Sequence, residues 1–172
     1  MDIYFSSDLH LGHHNAIQFN NRPFKTVEEM NETIIHNFNS VVKKNDRLYL
    51  LGDITHRIPE TQANELISRL KGRKILLRGN HDRQYDPSLF EEICDYKELN
   101  LEKLKYVLIH YPLMEWNRSR HNNSIHLHGH IHSDGRYNQN NRENGIMRYD
   151  VGVDANGYAP VSLVYIREYF NK

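Results

Sequence analysis

Only one cysteine, Cys94, occurs in the 172 residues, so neither an intrachain disulfide nor a thiolate zinc cluster can form. No apolar run approaches the roughly 18 residues of a membrane span. The opening MDIYFSSDLH has no basic region followed by an apolar stretch and a small-residue cleavage site, and a reducing cytoplasm is the expected location. Neither sign of charge is in excess, with 22 Lys+Arg against 22 Asp+Glu. That balance argues against strong non-specific nucleic-acid binding, which needs a basic excess to release counterions, and against polybasic membrane attachment. Repeats, linkers and low-complexity tracts are also absent, and a single domain over residues 1–172 is expected. Histidine is what the chain has in quantity, at 12 residues.

Short apolar runs alternate with helical patterns, which predicts an α/β layered domain. Strands are expected at Ile3 to Ser7, Arg47 to Leu51, Lys74 to Arg78, Ser124 to His128 and Arg148 to Val153, with a hairpin of Tyr96 to Asn100 and Leu104 to Ile109. Thr26 and Glu29 have the spacing of a capping box. Val27, Met30, Ile34, Phe38 and Val41 then recur at helical intervals. A second helix holds Ala63, Leu66, Ile67 and Leu70 and stops at Gly72. Asp86-Pro87 opens a short helix. Residues Ser133 to Asn144 read as a loop, and Val161 to Phe170 as a closing helix.

Residues able to hold a metal follow five of these strands at once. IYFSS leads into Asp8 and His10, RLYLL into Gly52-Asp53, and KILLR into Gly79-Asn80-His81-Asp82. KYVLI leads into His110, and SIHLH into Gly129-His130-Ile131-His132. Ligands of open α/β sheets bind beyond the carboxyl ends of the strands, so all these groups should surround one crevice. In an extended segment residues i and i+2 point the same way, and each of the pairs Asp8/His10 and His130/His132 can then address a common centre. Imidazole, carboxylate and amide oxygen without thiolate suit Mn, Fe, Ni or Zn. The ligands outnumber what one ion uses, so two ions are expected. With two carboxylates between them, such a pair leaves the site locally cationic, where phosphate binds and water ionises near neutral pH.

DLH, GD, GNHD, a lone strand-end His and GHIH, in that order, resemble the calcineurin-like metallophosphoesterase superfamily. The resemblance implies a four-layer α/β/β/α sandwich of two mixed sheets flanked by helices, with the metal site at the carboxyl ends of the strands. It implies one divalent ion on Asp8, His10, Asp53 and His132, and a second on Asp53, Asn80, His110 and His130. Mn is the first choice of metal, with Fe, Ni or Zn as alternatives. His81 would protonate the leaving oxygen and Asp82 would orient His81. The implied reaction is hydrolysis by metal-hydroxide attack on a small or nucleotide-derived phosphodiester. A phosphomonoesterase and a non-catalytic scaffold on the same fold are the alternatives. Tyr111 to Leu127 is too short for the inserted cap of larger relatives, and SDLHLGHHN with NRPF further resembles small bacterial and phage phosphoesterases.

Three more residues are candidates for contact with substrate: His13 and His56, which lie just beyond the first and second ligand motifs, and Arg22 as a bidentate phosphate donor. His126 and His128 share a strand face ending at the site and read either as support for the ligands or as core histidines. The basic residues Arg69, Lys71, Arg73, Lys74, Arg78 and Arg83 read as a solvated face or as local steering of an anion.

Overall fold

The computed structural model describes residues 1–172. Strands β1 (Ile3–Ser6), β2 (Arg47–Leu50), β3 (Arg73–Leu77) and β4 (Glu92–Cys94) are parallel neighbours in one sheet. The second sheet holds β5 (Tyr96–Leu101), β6 (Leu104–Ile109), β7 (Ser124–His128) and β8 (Arg148–Asp150). Its β5–β6 pair is the expected antiparallel hairpin, while β7 and β8 add in parallel. The first sheet is completed at its other edge by β9 (Val161–Ser162), antiparallel to β1. Both sheets are therefore mixed.

Alternation along the strands builds the layers. Leu48, Leu50 and Leu76 point to one face of the first sheet and pack against α2 (Val27–Val41) and α3 (Glu60–Ser68). Tyr49, Leu51, Ile75 and Leu77 point to the other and meet Tyr106, Leu108, Ile125 and Leu127 of the second sheet. The helix α2 begins as its capping residues predict: Thr26 Oγ1 accepts from the Glu29 amide at 3.1 Å and Glu29 accepts from the Lys25 amide at 2.8 Å. No helix is long and apolar enough to cross a membrane.

The outer face of the second sheet is where the sequence reading fails. The expected loop 133–144 contains a helix, α4 (Arg136–Glu143). It has no apolar stripe to betray it. It is held by amides instead: Asn138 exchanges hydrogen bonds with the Asp150 backbone at 3.0 and 2.7 Å, and Asn141 donates to the Arg148 carbonyl at 3.2 Å. A short α1 (His14–Phe19) was also not foreseen. The closing helix starts later than expected, as α5 (Leu163–Tyr169), because Ser162 caps it and Val161 is spent on β9. Residues 151–153 leave the sheet after β8 and enter a single 3-10 turn.

Candidate metal centre

The loops after β1, β2, β6, β7 and β8 are zipped together by backbone hydrogen bonds. Asp8 and His10 amides donate to the Gly52 and Asp53 carbonyls, each at 3.0 Å, and the Gly129 amide donates to His110 at 2.9 Å. The Val153 amide donates to Ser7 at 3.1 Å. This lattice fixes unusual backbone angles. Asp8, His10, Asp53, His130 and His132 all have left-handed φ, between 47° and 74°. Such conformations cost about 1–3 kcal/mol each and persist where surrounding structure imposes them. The expectation of extended i, i+2 pairs is thus corrected. Asp8 and His10 share a centre with His132.

Two groups of ligand atoms result: Asp8 with His10 and His132, and Asp8 with Asp53 and His110. Asp53 Oδ2 also lies 3.8 Å from His10 Nε2 and 3.5 Å from His110 Nε2. Asn80 adds its Oδ1, 3.1 Å from His110 Nε2. His130 borders the second group. Its amide donates to Asp8 Oδ2 at 2.8 Å, and its ring lies edge-on to His110 and Tyr111.

The donor set fits cations. His110 Nδ1 donates to the Leu51 carbonyl at 2.7 Å, so its other nitrogen presents a lone pair to Asn80 Oδ1 and Asp53 Oδ2, both acceptors. His132 Nδ1 donates to Asp154 Oδ2 at 2.7 Å, and its Nε2 then faces His10 Nε2 at 3.3 Å. Lone pairs meeting lone pairs need a proton or a metal between them. Asp8 Oδ1 is buried with no hydrogen-bond partner.

The charges around the ligands make the same demand for positive charge. Burial pushes the Asp8 carboxyl up to about 7 although His132 and His110 pull the other way. Burial also opposes a charged Asp53, but the His110 hydrogen bond and charge win and hold it at about 2. Against burial, Asp53 and Asp8 raise His110 to about 8. Burial and the neighbouring His132 drive His10 down to about 2, leaving it a neutral donor of a lone pair.

Close approach of two loops is allowed by missing side chains. A Cβ at Gly79 would run into the Asp53 carboxylate, and one at Gly129 into Ser7 and the Asp8 carboxylate. Both glycines sit in the strand-end motifs, and here the backbone itself walls the ligands.

Beside the two groups lies an open cleft of about 270 Å³, with His10, His81 and His132 on its floor and His13, His56 and Arg57 around it. The His81 amide donates to Asp53 Oδ1 at 2.8 Å, and its ring lies 4.0 Å from that of His56. The His13 and His56 rings are 4.3 Å apart. Burial, with a further push from His56, lowers His13 to about 4.

Over residues 1–152 the sequence matches the model of the calcineurin-like phosphoesterase superfamily domain. The chain belongs to the calcineurin-like phosphoesterase superfamily. A protein from Methanocaldococcus jannaschii is 36% identical over 171 residues, covering 99% of this chain and 92% of its own. The Gene 66 protein of Mycobacterium phage L5 is 29% identical over 163 residues, covering 77% of this chain and 78% of its own. The crystal structure of a protein of unknown function from Aquifex aeolicus superposes with a TM-score of 0.77 at 29% identity, over 97% of this chain and 98% of that one. The four-layer α/β/β/α sandwich is the architecture of this calcineurin-like phosphoesterase.

Two expected roles are corrected. Arg22 is 4% exposed and cannot reach a substrate. Its Nε and Nη2 grip Asp154 at 2.8 and 2.9 Å, and Nη1 and Nη2 donate to the Leu9 and Asp8 carbonyls. Asp82 makes no hydrogen bond to the His81 ring. It accepts from the amides of Asp53, Ile54 and Gly79 and from Tyr85 Oη, stitching the Asp53 loop to the Asn80 loop. His126 and His128 turn to the outer face. Both ring nitrogens of His126 are bonded, to the Val107 carbonyl and the Leu113 amide, whereas His128 bonds only through Nδ1, to the Gly129 carbonyl, and its buried Nε2 has no partner.

The sequence reading overlooked Asp154, which links Arg22 to His132. Its signal was available, because it directly follows the expected strand ending at Val153, as the other ligands follow theirs. Such a carboxylate fixes a ligand histidine's tautomer and ring orientation.

Proposed function

We propose that the chain is a dinuclear metal-dependent phosphodiesterase of the cytoplasm, acting on small, nucleotide-derived phosphodiesters. The single observation that carries this is the convergence of imidazole nitrogens and carboxylate oxygens in two groups that meet at Asp8, beside an open cleft lined by His10 and His132. One group offers Asp8, His10 and His132, and the other Asp8, Asp53 and His110 with Asn80 beside it. Divalent ions held there, Mn first and Fe, Ni or Zn as alternatives, supply positive charge for phosphoryl oxygens and acidify water.

The chain's own groups do the rest. The Asp154 carboxylate and the Leu51 carbonyl each accept a hydrogen bond from Nδ1 of a ligand histidine and aim its Nε2 inward. Asp53 receives the His81 amide and so sets that residue at the cleft. The His81 imidazole delivers a proton to the departing alkoxide, a general-acid effect commonly worth about 100- to 10,000-fold. His13 and His56 form the neighbouring wall, neutral at physiological pH because burial disfavours their cations. Cys94 is a free thiol, consistent with a reducing compartment.

Hydrolysis of bis(4-nitrophenyl) phosphate and of 4-nitrophenyl phosphate, with Mn, Ni or Zn and with chelator, tests the proposal. Metal-dependent turnover favouring the diester is expected. Preference for the monoester would overturn the diesterase reading. Turnover of neither would overturn the enzyme reading and leave a scaffold. Asp53→Ala should abolish turnover. His81→Ala should slow a diester with a poor leaving group far more than the nitrophenyl ester.

A further inference from the structure

We infer that the site takes a phosphoester whose leaving alcohol carries a second, non-reacting phosphate, held by Arg57 and Arg83. This rests on the phosphoesterase reading above, with His81 at the leaving oxygen.

The basic residues near the third motif are mostly committed elsewhere. Arg69 pairs with Glu32, Arg73 with Glu91 and Arg78 with Asp95. Lys74 is buried and donates to the Leu70 carbonyl, and Lys71 donates to Asn39. Arg83 has neither a carboxylate nor a hydrogen-bond partner, and Arg57, beyond β2, has none either. Both are exposed, and both line one cleft of about 260 Å³. A guanidinium with no internal partner keeps its whole fork of donors for a phosphate.

Position then defines the ligand. The cleft with Arg57 and Arg83 adjoins the cleft above the metal centre, and His56 and Arg57 line both. The His56 ring touches that of His81 and leaves its Nδ1 buried without a partner. In this reading an arm of substrate leaves phosphorus over His81, passes His56 and Arg57, and reaches the cleft that Arg83 also lines. That arm is the leaving alcohol. Gln84 adds a neutral donor, and Glu60 is the one carboxylate on the wall, so two guanidinium charges outweigh it. In the reaction the water oxygen ends on phosphorus, the phosphorus–oxygen bond to the alcohol breaks, and the alcohol departs with the proton from His81 and with its own phosphate intact.

The test compares the dinucleotide dTpdT with its 5′- and 3′-end-phosphorylated forms on the Mn-loaded protein at low salt. One end-phosphorylated form should be cleaved with kcat/KM about ten- to a hundredfold above dTpdT, as expected for hydrogen bonds between charged groups. Its terminal phosphate should appear on the departing nucleoside. In the double variant Arg57→Ala/Arg83→Ala the ratio should fall towards one, and Arg83→Glu should push it lower still. Equal rates on all three dinucleotides, with bis(4-nitrophenyl) phosphate still hydrolysed, would overturn the inference and leave the function standing. An unchanged ratio in the double variant would also overturn it. Should no ester be hydrolysed, the phosphoesterase reading fails. Calorimetric binding of the end-phosphorylated dinucleotides then decides the anion site separately, and equal affinity for native protein and double variant refutes it.

Discussion

Replacing Asp154 with Ala should damage stability and metal binding together, for separable reasons. The Arg22–Asp154 pair is deeply buried, with side-chain exposures of 0% and 8%. Removing one partner of such a pair commonly costs about 3–5 kcal/mol, because the other charge is left buried and uncompensated. Arg22 keeps its bonds to the Leu9 and Asp8 carbonyls, which argues for the lower end, about 3 kcal/mol. For a chain of this length that lowers Tm by roughly 6–12 °C. His132 meanwhile loses the acceptor at 2.7 Å that fixes its tautomer. Loss of such a partner typically weakens metal affinity by about 10–100-fold. Calorimetric melting of chelated protein reads the first effect, and Mn titration the second. The double variant Arg22→Met/Asp154→Leu removes both charges and should regain part of the lost stability without regaining affinity. A single variant with native Tm and native Mn affinity would refute the reasoning. So would a double variant that recovers Mn binding.

Acid should destabilise the protein as pH falls below about 6.5. Burial holds His126 down at about 3 and His128 at about 4, so the unfolded chain takes up protons that the folded one refuses. Their contribution is fully present above the unfolded value and is lost progressively towards the folded ones. His126→Gln should flatten the acid limb of the urea midpoint against pH, and an unchanged limb would contradict the assignment. Gly79→Ala and Gly129→Ala should each displace a ligand carboxylate and abolish high-affinity Mn binding, whereas Gly145→Ala, which meets nothing within 4 Å, should bind normally in the same titration. Asp82→Ala strips partners from three amides and should lower both Tm and Mn affinity, because it loosens the Asp53 loop. A loss of rate at unchanged affinity would instead restore Asp82 to a role on His81.

Much of this was legible because the ligands obey a positional rule. Asp8, Asp53, Asn80, His110 and His132 each follow an apolar strand, and strands are what apolar runs reveal. The rule reaches Asp154 as well. Side-chain direction was not legible. Left-handed backbone at Asp8, His10, His130 and His132 stands where the sequence implies extended, alternating chain. Arg22 reads as a phosphate donor in a linear sequence, and only the fold supplies the buried Asp154 from 132 residues away. The helix α4 escaped notice for a related reason. Its tertiary support comes from Asn138 and Asn141, whose partners are backbone groups of β8 and leave no apolar period.

The central claim is that the two ligand groups, which meet at Asp8 and Asp53, hold a pair of divalent ions. Anomalous diffraction from Mn-loaded crystals tests it most directly. The account predicts two Mn peaks in each chain, one among Asp8, His10, Asp53 and His132 and one among Asp53, Asn80, His110 and His130. A single peak, or peaks away from both groups, would contradict it.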